Sequence, residues 1–122
     1  MARILVIDDE NGVRSMLTRL LTHHGHSVRS EPNGKHISEV MEEFAPDLVI
    51  TDIIMPETDG LETINRLREE YPQVRIIAIS GGGLQVSMDH LPMARMLGAE
   101  LTLSKPIDNE KLLQAVEIVT SD

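Results

Sequence analysis

Five short aliphatic runs punctuate the chain, at residues 2–7 (ARILVI), 26–30 (HSVRS), 47–51 (DLVIT), 74–79 (VRIIAI) and 100–103 (ELTL). The first, third and fourth are nearly continuous in Ile, Val and Leu, the pattern of strands covered on both faces. Between the runs, apolar residues recur at helical spacing. Residues 11–24 carry Val13, Met16, Leu17, Leu20 and Leu21, and Gly25 stops the pattern. Residues 33–44 carry Ile37, Val40, Met41 and Phe44 and end before Pro46; residues 61–71 carry Leu61, Ile64 and Leu67 and end before Pro72. Residues 108–120 carry Leu112, Leu113, Val116 and Val119, with Asp108 as N-cap. One more helix is expected from Asp89 or His90 to Leu97, because Pro92 fits only a first turn and Gly98 is a stop. Residues 81–88, which open on three glycines, read as a long loop.

This alternation predicts an α/β fold: five parallel strands with five helices on both faces of one sheet, joined by right-handed crossovers. Such open sheets bind ligands beyond the C-terminal ends of their strands. Strand one ends in Asp8-Asp9-Glu10, strand three in Asp52 and strand four in Ser80, and strand five is followed by Lys105-Pro106. With strand one beside three and three beside four, these groups converge on one pocket.

Composition narrows the chemistry. The 122 residues suit one domain, and 41% apolar with 25% charged residues is ordinary for a globular protein. Phe44 and Tyr71 are the only aromatics, so the core must be aliphatic. No Cys is present, which excludes disulfides, thiolate metal sites and thiol nucleophiles. The apolar runs are too short to span a bilayer, and the first residues read straight into a strand, so a cytoplasmic location without membrane contact is expected. A net charge of −9, with no Lys or Arg cluster, argues against direct nucleic-acid binding. The tract THHGH at 22–26 is read as a helix end with favourable histidines rather than as a metal site.

Three crowded carboxylates repel one another unless a cation neutralises them. Mg²⁺ suits such a site, since it takes oxygen ligands and is usually held by one or two carboxylates plus a phosphate oxygen. A carboxylate can also accept a phosphoryl group as an aspartyl phosphate, which demands neutralising charge nearby. Lys105 would supply part of it, and Ser80 a hydrogen bond.

The pieces VIDDE (6–10), DLVITDIIMPETDG (47–60), IAIS (77–80) and SKP (104–106) together resemble the response-regulator receiver domain, the phosphoacceptor module of two-component signalling. The resemblance extends over essentially all of residues 1–122, read as one receiver domain. It implies a flavodoxin-like sheet of strand order 2-1-3-4-5. It also implies Asp52 as phosphoacceptor, with Ser80 and Lys105 contacting the phosphoryl group. Mg²⁺ would be held by Asp8, Asp9, Asp52 and the backbone carbonyl of Ile54, Asp9 directly and Asp8 through water. The Lys105–Pro106 peptide is expected to be cis. The implied partners are a histidine kinase or phosphotransfer protein, and a downstream protein docking on the fourth helix, fifth strand and fifth helix. Met88, Met93 and Met96 are candidates for that surface or for the core.

Three positions depart from the family pattern. Thr102 stands where an aromatic ring is common, so a ring-flip readout is not expected. Ile54 offers no polar side chain to orient water, and Ile54→Asn is expected to shorten the phosphoryl lifetime. The span from Ser80 to Lys105 is long, and 81–88 is read as the mobile switch. Glu10 and Glu57 flank the site; Glu10 is assigned to solvent or to an indirect role near a metal. Two other functions compete with the phosphoacceptor switch. A phosphohydrolase would need a second acid at position 54, where Ile54 stands, and a docking-only module would not need the intact set of Asp8, Asp9, Asp52, Ser80 and Lys105.

Overall fold

The computed structural model describes residues 1–53, 60–80 and 98–121. Along the chain these form β1 (Arg3–Ile7), α1 (Asn11–His23), β2 (Ser27–Glu31), α2 (Ile37–Phe44), β3 (Leu48–Asp52), α3 (Gly60–Glu70), β4 (Arg75–Ser80), β5 (Leu101–Ser104) and α4 (Asn109–Thr120). The strands make one parallel sheet in the order β2-β1-β3-β4-β5. This is the expected flavodoxin-like topology. The helix expected at 89–97, the loop at 81–88 and the methionines within 88–96 lie outside the described residues.

Side chains alternate across the pleat and so divide the core in two. Leu5, Ile7, Val49, Ile76 and Ala78 face Ile37, Val40 and Met41 of α2 and Ile64 and Leu67 of α3. Ile4, Val6, Leu48, Ile50, Ile77 and Ile79 face Leu17 and Leu21 of α1 and Leu112, Ala115, Val116 and Val119 of α4. Both layers are aliphatic, and every residue of β3 is buried. The partly buried rings of Phe44 and Tyr71 pack only at the margin of the first layer.

Helix ends follow local chemistry. At the end of α1, His24 N–H reaches the carbonyls of Leu20 and Leu21, and Gly25 takes φ +91°, the left-handed conformation that closes the turn. Asp108 caps α4, its Oδ1 accepting from Lys111 N–H at 3.1 Å. One start differs from expectation: α2 begins at Ile37 rather than 33. Asn33 Oδ1 accepts from Lys35 N–H at 2.9 Å, and this local turn competes with helical bonding until Ile37.

Candidate functional site

Parallel strands carry their last residues to one edge of the sheet, and there the acidic groups meet. Asp52 is the final residue of β3 and is 2% exposed. Asp8 follows β1 and is 1% exposed, its N–H bonded to Glu31 O of β2 at 3.1 Å. Ser80 ends β4, fully buried, and its carbonyl accepts Lys105 N–H at 3.0 Å, which fixes the backbone of the lysine. The Lys105–Pro106 peptide is cis, as the resemblance implies.

From that anchor Lys105 reaches inward. Its Nζ lies 3.1 Å from Asp52 Oδ2, 2.5 Å from Glu10 Oε1 and 3.0 Å from Asp8 Oδ2. Toward Asp8 its hydrogen bond runs to Oδ1 at 3.4 Å; Oδ2 is buried and accepts no hydrogen bond, only the ionic contact. Burial alone would lower the Lys105 ammonium, but bonds to Glu10, Asp52 and Asp8 hold it above its ordinary value. Burial pushes the Asp8 carboxyl up, against the pull of Glu10 N–H and Lys105. Both partners of this pair thus bind protons more firmly, Asp8 because it is buried and Lys105 because three carboxylates hold it.

Oxygens of Asp8, Glu10 and Asp52 lie within 4.8 Å of one another. Oxygen-only donors, a surplus of negative charge and a buried Asp8 oxygen without a hydrogen bond all suit a hard divalent cation. Two of the expected metal ligands, Asp8 and Asp52, belong to this group. Asp9 is exposed and lies outside this group of three, whereas Glu10, assigned to solvent by sequence reasoning, points into it. Ile54 and Glu57 lie outside the described residues. Thr102 is half-buried on β5, opposite Ala78. The histidines at 23, 24 and 26 do not form a ligand cluster among the described residues. A second concavity, at the opposite edge of the sheet, is lined by Met1, Met41, Pro46, Tyr71 and Arg75. Its Arg75 guanidinium is engaged by Val119 O at 2.7 Å, and among the described residues no acidic cluster faces it.

The chain is thus a doubly wound α/β domain with acidic groups after β1 and at the end of β3 and a lysine after β5. The family model for the response regulator receiver domain matches residues 4–117, and the chain belongs to that family, whose members are phosphoacceptor switches of two-component systems. It is 36% identical over 95% of its length to the DNA-binding transcriptional regulator NtrC of Azospirillum brasilense, of which it spans only 24%. It is 35% identical to the chemotaxis protein CheY of Bacillus subtilis, covering 93% of each chain. The structure of Vibrio cholerae CheY4 superposes with a TM-score of 0.87 at 26% identity, over 98% of both chains. No helix among the described residues is long and apolar enough to cross a membrane.

Proposed function

We propose that residues 1–122 form one receiver domain that takes a phosphoryl group from a histidine kinase or phosphotransfer protein onto Asp52. The observation that carries this reading is the grip of Lys105 Nζ on Asp52 Oδ2 at 3.1 Å, beside the carboxylates of Asp8 and Glu10. In the transfer, an Asp52 carboxylate oxygen attacks phosphorus and the phosphorus–nitrogen bond of the donor breaks. The departing imidazole keeps the electron pair and takes up a proton. Lys105 follows the negative charge from the carboxylate to the new phosphoryl oxygens, and the Ser80 hydroxyl donates to one of them. Asp8, Asp9, Asp52 and the backbone carbonyl of Ile54 are the groups that would hold Mg²⁺, with Glu10 beside them on Lys105. When bound, the ion supplies neutralising positive charge at the transferring group. The rigid, wholly buried β3 holds Asp52 in place for this.

The phosphorylated state then changes affinity for a downstream protein, in the cytoplasm and without direct contact to nucleic acid or membrane. The proposed docking face includes β5 and α4, where Ile118 is 66% exposed. With Thr102 in β5, the readout passes through backbone rearrangement or repacking rather than a rotating ring.

The test is incubation with Mg²⁺ and acetyl phosphate, followed by intact mass. The expected result is one added phosphoryl group, absent in Asp52→Asn. Continuous release of phosphate with little adduct would instead identify a phosphohydrolase, and neither outcome a docking-only module.

A further inference from the structure

Glu10 occupies the N-cap of α1, a position from which the shorter side chains of Asp, Asn, Ser and Thr turn back onto the free N–H groups of the helix. Here it makes no such bond. Its Oε1 accepts from Lys105 Nζ at 2.5 Å, closer than the ammonium's contacts with Asp8 (3.0 Å) and Asp52 (3.1 Å). The nearby cation Arg14 is taken by Asp8 O and Asn11 Oδ1, so it does not compete for Glu10. The three carboxylates also differ in solvation. The side chains of Asp8 and Asp52 are 1% and 3% exposed, that of Glu10 57%. A buried carboxylate cannot release the ammonium without standing uncompensated out of water, whereas Glu10 can turn and rehydrate.

We propose that Glu10 is a positioning residue, a solvent-backed latch that holds the Lys105 ammonium at the outer side of the pocket and competes with a phosphoryl group for it. This rests on the phosphoacceptor reading of Asp52. Phosphorylation presents Lys105 with a more highly charged neighbour, and Glu10 is the one partner it can give up cheaply. The latch therefore lowers the affinity of the pocket for a phosphoryl group by the strength of one partly exposed ion pair, which is at most about fivefold in an equilibrium constant.

The experiment compares Glu10→Gln with Glu10→Asp. The first removes the charge; the second keeps it but shortens its reach. Affinity for beryllofluoride, a mimic of the phosphoryl group, is measured by calorimetry at saturating Mg²⁺. In parallel, the ¹⁵N resonance of Lys105 Nζ is followed in metal-free protein. The expected result is a shifted resonance and about two- to fivefold tighter beryllofluoride binding in both variants. Tightening in Glu10→Gln alone would mean general charge repulsion and overturn the latch, as would an unmoved Lys105 resonance. If wild-type protein takes neither beryllofluoride nor a phosphoryl group, the phosphoacceptor reading falls. The metal-free resonance still decides whether Glu10 holds the ammonium.

Discussion

Lys105 and Asp52, 53 residues apart in the chain, meet at 3.1 Å, with the lysine side chain 10% exposed and the aspartate 3%. The pair is held by two strands that are not neighbours: β4 lies between β3 and β5 and passes the lysine backbone across through Ser80 O. The pocket is thus a product of sheet order rather than of any local motif.

Removing the ammonium should expose this dependence. Lys105→Met leaves two buried carboxylates without their cation, at an expected cost of about 3 kcal/mol in chelator. Millimolar Mg²⁺ should recover part of it. Urea titrations with EDTA and with Mg²⁺ measure both, and equal losses in the two media would contradict the account.

Asp8 should behave in the opposite sense. Its carboxyl is raised by burial, so the charged form works against folding at neutral pH. Asp8→Asn leaves Lys105 paired with Asp52 and Glu10, and it should stabilise the metal-free protein by about 1 kcal/mol. The same variant should lose most of the stabilisation that Mg²⁺ gives wild type, read as the shift in melting temperature on adding the ion.

Gly60 seals the floor of the site. Its N–H bonds Ile53 O at 2.8 Å, and a Cβ there would fall on the carbonyl oxygens of Asp52 and Ile53 and on Ile53 Cα. None of these backbone atoms can swing aside. Gly60→Ala is expected to cost about 3 kcal/mol and to displace Asp52. Denaturant unfolding and the amide shift of Asp52 would report the two effects.

Arg68 ties α3 to the approaches of β4 and β5. It donates to Pro72 O (2.8 Å), Val74 O (3.0 Å), Gly98 O (2.8 Å) and Glu100 Oε1 (2.9 Å), while Glu100 Oε2 accepts Ile76 N–H at 2.9 Å. A lysine ammonium cannot fork across four acceptors. Arg68→Lys should lose about 2 kcal/mol in urea unfolding, and a loss below a few tenths would show the fork to be dispensable.

His26 sets an acid limit. Its Nδ1 accepts Ala2 N–H at 3.0 Å, and burial, then the positive N-terminus and then His24, lower its pKa. The unfolded chain therefore binds the proton more readily. His26's contribution to stability is full above the ordinary value of about 6.5 and is lost as pH falls below it, by up to about 1.4 kcal/mol per pH unit. His26→Asn should flatten this dependence in melts between about pH 7 and pH 5.

Much of this was legible along the chain. Continuous aliphatic runs mark strands buried on both faces, so each strand is displaced by only one residue from its expected bounds, and the order 2-1-3-4-5 holds. The start of α2 was not legible, because the hydrogen bond that Lys35 N–H donates to Asn33 Oδ1 outweighed helical spacing over one turn. Nor was the direction of the side chains after β1. Asp8, Asp9 and Glu10 are consecutive, but where β1 gives way to α1 the two-residue alternation ends. The chain turns Asp9 to solvent and Glu10 toward Lys105. The absence of a cap bond at Glu10 is visible only in three dimensions.

The aliphatic core has an optical consequence. There is no tryptophan, and the single tyrosine precedes β4, whose six residues, about 20 Å of strand, separate it from the carboxylate edge. The native chain is nearly dark at that edge, so one indole introduced at a half-buried position such as Thr102 would report added Mg²⁺ or beryllofluoride against almost no background emission.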